Sequence, residues 1–137
     1  MTQLNPYIHF NGNCREAMTF YKDALGGELT LMTVGESPMA SQLPADSHEK
    51  VMHASLKSGG FTLLASDMSG PGGFKKGSEL SLTIVGSSKE ETESFFSKLS
   101  AGGKVTHALK EEFFGLYGDL TDMYGISWMF NYEKPKA

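Results

Sequence analysis

His53 and Asp67 are the side chains of this sequence best suited to act on a bound molecule. His53 lies in VMHASL, where the alternating pattern predicts a strand that carries His53 and Ser55 on one face. Its imidazole could donate a hydrogen bond or exchange a proton near neutral pH, but a lone histidine is also commonly structural or part of a dimer interface. Asp67 ends the predicted strand LLASD on the same parity as Leu63, where it could orient a polar ligand group or only stabilise a turn. Both residues are therefore candidates for catalysis.

Three further side chains are weaker candidates. His9 falls on the opposite face of its predicted strand from Ile8 and Phe10. Cys14 lies in the first turn of a predicted helix, where the helix dipole can lower the pKa of a thiol. No histidine is near it in sequence, so an inert, partly buried thiol is the favoured interpretation. Asp122 is expected to stabilise the turn before Gly125.

Composition and charge exclude several classes of function. The 137 residues suit a single globular protein, and no apolar run is long enough to span a membrane. The net charge is −4 and the basic residues are scattered among acids, so no basic surface for nucleic acid is expected. The start MTQLNPYIHF does not resemble a signal peptide, and a single cysteine cannot form an internal disulfide. A cytoplasmic location is therefore expected.

The elements that position these residues are repeated along the chain. FYKDALGGELT, residues 20–30, and FSKLSAGGKVT, residues 96–106, share Phe, Lys, Gly-Gly and Thr at matching positions, and each continues a helical pattern of apolar residues. The pairs Asn13 with Glu16 and Ser88 with Glu91 predict a capping box at each helix start. The Gly-Gly pairs predict the two helix ends.

Predicted strands surround both helices in the same order. The first set covers residues 7–11, 28–34, 51–56 and 61–66, and the second covers residues 80–85, 104–110, 113–120 and 126–132. The chain thus reads as strand–helix–three strands, twice, an α+β protein with one module at about residues 1–68 and another at about 78–133. Residues 66–79 are rich in Ser, Gly and Pro and predict a flexible connection, and residues 35–50 predict a long loop.

Four stretches make a family resemblance recognisable: NGNCREAMTFYKDALGGEL, VMHASL, LLASD and DMYGISWMF. Together with the duplicated module they resemble the vicinal oxygen chelate superfamily, and more closely its PhnB-like branch, which has carried a 3-demethylubiquinone methyltransferase label. The resemblance spans nearly the whole chain. It implies two βαβββ modules of the glyoxalase/bleomycin resistance/dihydroxybiphenyl dioxygenase kind, with mixed sheets that enclose a cleft.

The metal site of that superfamily is not expected in this chain. The resemblance places its four ligand positions at Pro6, Leu63, Leu80 and Met129, and none of these side chains suits a divalent ion. A slip of one residue gives a set no better suited: Tyr7, Leu64, Ser81 and Trp128. We therefore predict no metal, no cofactor and an apolar wall for a small molecule. The cleft candidates are Ile8, Phe10, Leu63, Leu80, Leu82, Ser127 and Met129.

The last strand supports this prediction by its alternation. Ser127, Met129 and Asn131 are expected to face the cleft, and Trp128 and Phe130 are expected to face the helix.

Three functions of different class follow from these observations, and whether the protein is an enzyme stays open. The first is a small-molecule binder without the superfamily's metal. The second is a metal-dependent lyase or dioxygenase with a displaced site built from His53, Asp67 or His9, and the third is a non-catalytic scaffold. Methyl transfer of the common S-adenosylmethionine type is not expected, because the chain lacks the glycine-rich first loop and the alternating strand–helix order. The two modules also predict a homodimer, since each leaves one sheet face without a helix.

Overall fold

The computed structural model of the protein describes residues 2–68 and 72–135 and divides the chain into two compact units, Met1–Lys76 and Gly77–Ala137. The first contains β1 (Tyr7–His9), α1 (Cys14–Leu25), β2 (Glu28–Thr33), β3 (Val51–Ser58) and β4 (Phe61–Ser66). The second contains β5 (Leu82–Val85), α2 (Lys89–Ser100), β6 (Lys104–Glu111), β7 (Gly115–Thr121) and β8 (Ser127–Glu133). The predicted α+β class and the repeated order of strand, helix and three strands are confirmed.

The first unit is a four-stranded sheet with one helix packed across it. The strands are ordered β1-β4-β3-β2, with β1 parallel to β4 and the other pairs antiparallel. Paired residues project to the same face, so the register places Ala54, Leu56, Leu63 and Ala65 together, and all four are buried. α1 packs on β2, β3 and β4. This buried face of the sheet therefore carries α1.

The start of α1 is held by a residue distant in sequence. The predicted capping box at Asn13 is wrong, because Asn13 makes no side-chain capping hydrogen bond. Instead, Asp67 Oδ1 accepts hydrogen bonds from the backbone N–H groups of Gly12 at 2.9 Å and Cys14 at 3.0 Å. Asp67 Oδ2 accepts a third, from the N–H of Val51 at 2.9 Å. One carboxylate thus satisfies free donors at the helix N-terminus and ties them to β3.

The long loop after β2 is ordered by a histidine. It contains two short 3-10 turns, Ala40–Gln42 and Ala45–Ser47. His48 Nε2 lies 2.8 Å from the carbonyl oxygen of Ala40 and 3.2 Å from that of Leu43. Because a carbonyl can only accept, Nε2 carries the proton and holds this loop together.

The second unit repeats the arrangement with the order β5-β8-β7-β6, and β5 is parallel to β8. Its core face is identified by Phe130, which is fully buried and meets the ring of Phe96 of α2 edge-on at a centroid distance of 5.0 Å. Leu82 pairs with Trp128, and Trp128 pairs with Leu120, so these side chains share that face. The face of each sheet opposite its helix is called the distal face below.

α2 begins with its own local cap, as the sequence predicted. Ser88 Oγ accepts a hydrogen bond from the N–H of Glu91 at 3.1 Å. The Glu91 carboxylate reaches back to the N–H and hydroxyl of Ser87, one residue before the position expected in a capping box. The hydrogen bond from the Ser87 backbone is the largest cause of a lowered pKa for the Glu91 carboxyl.

Glycine is required at the end of α1 for two reasons. Gly27 has φ of +100°, in the left-handed region, and a Cβ there would lie 2.5 Å from the carbonyl oxygen of Lys57. The predicted Gly-Gly exit therefore also allows the chain to turn close against β3.

Candidate functional site

The distal face of the first unit carries a cluster of aromatic and polar side chains. Tyr7 pairs with Leu64, and Leu64 pairs with Ser55. The Tyr7 ring lies 5.0 Å from the His9 ring and 6.4 Å from the His53 ring. His9 Nδ1 is 2.9 Å from the carbonyl oxygen of Met68, so this nitrogen carries the proton and Nε2 is the acceptor in the neutral ring. His9 and His53 are thus on one face, where the sequence had favoured only His53.

Three cleft candidates of the first unit are on the other face or in the core. Ile8 pairs with Ala65, and Leu63 pairs with Leu56, which places Ile8 and Leu63 on the face that carries α1. Phe10 follows β1 and is 3% exposed. The prediction that these three side chains line a cleft is wrong, because the register places the opposite parity, Tyr7 and Leu64, on the distal face.

Asp67 also has a different position from the one expected. It is 7% exposed, and its two carboxylate oxygens accept the three backbone N–H groups described above. The carboxylate is therefore engaged by backbone groups of its own unit and holds that part of the fold together. The expectation that Asp67 orients a ligand is corrected on this ground.

Cys14 is a buried, unreactive thiol. Burial is the main cause that raises its pKa to about 12, and the charge of Asp67 acts in the same direction. The helix dipole does not overcome these effects, and at neutral pH the residue is a small apolar side chain in the core.

The distal face of the second unit presents one row of side chains across four strands. Thr83 pairs with Met129, Met129 with Asp119, and Asp119 with His107. The Thr83 hydroxyl lies 3.9 Å from the Met129 sulfur. The row therefore places an apolar, polarisable side chain between a hydroxyl and the hydrogen-bonded pair of Asp119 and His107.

The neighbouring residues of β8 complete this face. Ser127 pairs with Thr121 and Asn131 with Tyr117, on the same face as Met129. Two other cleft candidates are not there. Leu82 shares the helix face with Trp128, and Leu80 precedes β5 and is 86% exposed. Of the apolar wall predicted from Met129, Leu63 and Leu80, only Met129 lies on this face, which is a mixed apolar and polar surface.

His107, Asp119 and Tyr117 form a hydrogen-bonded cluster on this face. His107 Nδ1 lies 2.9 Å from Asp119 Oδ1 and 3.0 Å from Oδ2, and the Tyr117 hydroxyl donates to Asp119 Oδ2 at 2.9 Å. Burial acts to raise the pKa of Asp119, but the hydrogen bonds from His107 and Tyr117 outweigh it and hold that pKa below its usual range. The hydrogen bond to Asp119 raises the pKa of Tyr117.

Each distal face also contains a buried polar atom that has no hydrogen-bond partner among the residues that the structure describes. These atoms are Ser55 Oγ in the first unit and Asn131 Oδ1 in the second. A buried polar atom without a partner costs free energy, so each is a position where an incoming hydrogen-bond donor would stabilise the protein.

The positions that the resemblance assigns to the superfamily's metal ligands do not carry imidazole or carboxylate side chains. At the position that the resemblance assigns in the last strand, the chain carries Met129, which pairs with Thr83. In the first module it carries Pro6 and Leu63 or, after a slip of one residue, Tyr7 and Leu64. Divalent ions of this type prefer imidazole and carboxylate ligands. Across residues 2–68 and 72–135, no group of three or more His, Cys, Asp or Glu side chains could hold a metal ion.

The sequence reasoning did not find His107, Asp119 or Tyr117. Tyr117 and Asp119 are two residues apart in LYGDL, which is the signal for a shared face of a strand. His107 is twelve residues from Asp119, and only the pairing of β6 with β7 brings them together.

Comparison with known proteins assigns the family. Residues 2–130 match the family described as 3-demethylubiquinone-9 3-methyltransferase. The chain is 32% identical over 141 residues to Protein YjdN of Escherichia coli (strain K12), with 96% of this chain and 95% of that protein covered. No helix in the part of the chain that the structure describes is long and apolar enough to cross a membrane.

Solved structures agree with this assignment. Protein PA1353 from Pseudomonas aeruginosa is 40% identical, with a TM-score of 0.86, and the match covers 98% of this chain and 100% of that one. A PhnB protein from Bacillus cereus is 25% identical, with a TM-score of 0.76 and coverage of 96% and 99%. The resemblance to the PhnB-like branch is thereby confirmed.

A more distant structure extends the likeness to the fold. A glyoxalase/bleomycin resistance protein/dioxygenase family enzyme from Burkholderia phytofirmans PsJN has a TM-score of 0.59 at 13% identity, and the match covers 96% of each chain. The chain therefore belongs to the protein family described as 3-demethylubiquinone-9 3-methyltransferase, and it has the glyoxalase/bleomycin resistance/dioxygenase fold.

Proposed function

We propose that the protein binds a small organic molecule on the distal face of the second unit, over Met129, without the superfamily's metal. The observation that carries this proposal is the position of Met129 in the row from Thr83 to His107. The resemblance places the last metal carboxylate at this residue. A thioether there offers apolar, polarisable surface instead of a charged ligand.

The polar neighbours of Met129 would fix the orientation of such a molecule. Asn131 Oδ1 is buried without a partner and can accept one hydrogen bond, and the Thr83 hydroxyl is adjacent to the sulfur. Small-molecule sites are commonly built in this way, from apolar surface with a few polar groups.

The test compares two substitutions of Met129. Ligands are first found by NMR with a fragment library, and their affinities are then measured by calorimetry. Met129→Glu is expected to weaken binding by roughly tenfold or more, because its carboxylate must stay hydrated or take up a proton. Met129→Leu is expected to change affinity little, since volume and polarity are nearly kept.

Folding of both variants is checked by circular dichroism. Equal affinity in two folded variants would place the binding site elsewhere. A protein for which no ligand is found would favour the scaffold function.

One observation favours the second candidate function, a displaced metal site. His9 and His53 lie on one face, and both of their rings are near the Tyr7 ring. The proposed third ligand, Asp67, is occupied by backbone N–H groups, which weakens this alternative. Elemental analysis of protein purified without chelator or histidine tag decides the matter. Near-stoichiometric zinc, nickel or iron that is lost in His53→Ala would support the displaced site.

We further propose that this chain does not transfer methyl groups in the manner of common S-adenosylmethionine enzymes, despite the family's description. Its two sheets each have a single parallel pair, β1 with β4 and β5 with β8, and are not the parallel sheet of those enzymes. Calorimetry with S-adenosylmethionine is expected to give no heat of binding. Specific micromolar binding would contradict this proposal.

A homodimer remains part of the proposal. Several large apolar side chains of the second unit are exposed, with Phe113 at 93%, Leu80 at 86% and Val85 at 69%. Burial of such side chains in an interface would remove apolar surface from water. Sedimentation equilibrium at micromolar concentration is expected to give twice the chain mass, and a monomer would count against the dimer.

A further inference from the structure

The cluster on the distal face of the second unit leaves one nitrogen of His107 available. Both carboxylate oxygens of Asp119 lie within 3.0 Å of His107 Nδ1. A carboxylate can only accept hydrogen bonds, so Nδ1 carries a proton in either charge state of the ring. In the neutral ring, Nε2 therefore has the free lone pair. The His107 side chain is 69% exposed, so a small molecule can reach this ring.

Asp119 is placed to stabilise a positive charge on this ring. Its side chain is only 19% exposed, and it accepts a second hydrogen bond from the Tyr117 hydroxyl at 2.9 Å. This carboxylate lies against Nδ1 and would be the counter-ion of an imidazolium formed when Nε2 takes up a proton. Tyr117 fixes the carboxylate in turn and keeps it from rotating away.

The other titratable groups near His107 come from β6 and β7. Besides Asp119 and Tyr117 of β7, the titratable side chains closest in register are the two lysines of β6, Lys104, which pairs with Thr121, and Lys110, which pairs with Tyr117. The next strand, β8, contributes the uncharged Met129 and Asn131 to the same face. In the row from His107 to Met129, the residue between them is Asp119, which carries a negative charge.

We propose that the ligands of this face are weakly acidic aromatic or enolic hydroxyl compounds, and that His107 Nε2 takes their proton on binding. This inference rests on the proposed function, because the ring of the ligand would lie over Met129. The O–H bond of the ligand breaks, its electron pair stays on the oxygen, and the proton forms the Nε2–H bond of an imidazolium. The bound state is then an oxyanion beside the imidazolium of His107. The carboxylate of Asp119 balances the positive charge of that imidazolium.

The probe for the test is para-nitrophenol, because only its anion is yellow. Para-nitroanisole is the matched control ligand, since it has the same ring and nitro group but no acidic proton. Binding of both is followed by the NMR signal of the Met129 methyl group, and ionisation of para-nitrophenol is followed by its absorbance at about pH 6.5, near the usual pKa of histidine. The expected result is that the ratio of anion to neutral form is at least roughly tenfold higher for bound para-nitrophenol than for the free compound, which corresponds to a shift of one pKa unit.

Variants of the cluster assign the effect to His107. His107→Gln is expected to remove the increase in anion, whereas His48→Gln, a histidine substitution in the loop after β2, should leave it unchanged. Asp119→Asn should reduce the increase, because the imidazolium loses its counter-charge. Circular dichroism verifies that each variant is folded.

The possible outcomes separate this inference from the proposed function. If both probes shift the Met129 signal equally and the bound para-nitrophenol has the same anion-to-neutral ratio as the free compound, the inference is overturned while binding over Met129 stands. If para-nitrophenol does not bind at all, hydroxyl compounds of this class are not the ligands. The inference would also be overturned if His107→Gln showed the same increase in anion as the wild type, since another base would then be responsible.

Discussion

Replacement of Asp67 by alanine should destabilise the protein strongly, although no ligand is involved. The change leaves the N–H groups of Gly12, Cys14 and Val51 without their acceptor. The bonds to Cys14 and Val51 are buried, and an unsatisfied buried donor costs about 1–3 kcal/mol. Two of them give an expected loss of about 2–6 kcal/mol, a large share of the ~5–15 kcal/mol by which domains are stable.

Urea denaturation at neutral pH, followed by circular dichroism, measures this loss. With a slope of about 2 kcal/mol per molar urea, the midpoint should fall by roughly 1–3 M. Asp67→Asn should lose less than Asp67→Ala, because its amide oxygen can still accept hydrogen bonds while its NH₂ group cannot. Asp23→Ala is the matched control, since Asp23 is an exposed aspartate of α1 itself.

A loss below about 1 kcal/mol in Asp67→Ala, similar to that of Asp23→Ala, would refute the reasoning. With so small a loss, Asp67 would again be a candidate for contact with a ligand.

Three further substitutions or treatments test other parts of the structure. Ser88→Ala should cost about 1 kcal/mol in the same urea experiment, because it removes the cap of α2; an unchanged midpoint would contradict this. Cys14 should not react with a thiol reagent at neutral pH until the protein is unfolded, since its pKa is raised to about 12; rapid labelling of native protein would show an accessible thiolate. Asp119 has a lowered pKa in the folded state, so it stabilises the protein above the usual carboxyl pKa, and this contribution is lost as the pH falls through the folded value. The difference in stability between the wild type and Asp119→Asn should therefore be present at neutral pH and vanish in acid, and a difference independent of pH would contradict the assignment.

The sequence predicted the order of elements because each element carries a strong local signal. The repeated Gly-Gly exits and the Ser88 cap mark the helix boundaries. In β8 the apolar side chains Trp128 and Phe130 alternate with Ser127 and Asn131, so the faces of this strand could be read from the sequence.

The faces of the first unit could not be read in this way. In β4 the segment LLAS has apolar or small residues at every position, so it shows no alternation that separates its two faces. Only the pairing of Leu63 with Leu56 and of Leu64 with Ser55 assigns them. The His107–Asp119 pair was hidden for another reason, because two register shifts between β6 and β7 prevent the partner of His107 from being counted along the hairpin.

The two helices differ in when their N-terminal caps can form during folding. The cap of α2 comes from Ser88, three residues before the N–H group that it accepts, so it is available as soon as that segment becomes helical. The cap of α1 comes from Asp67, which is 53 residues from Cys14 in sequence. Closing a chain segment of that length must precede the bond, and its entropy cost slows such contacts. We therefore expect α1 to become stable later than α2, and the first unit to gain its full cooperativity only when β4 has joined the sheet.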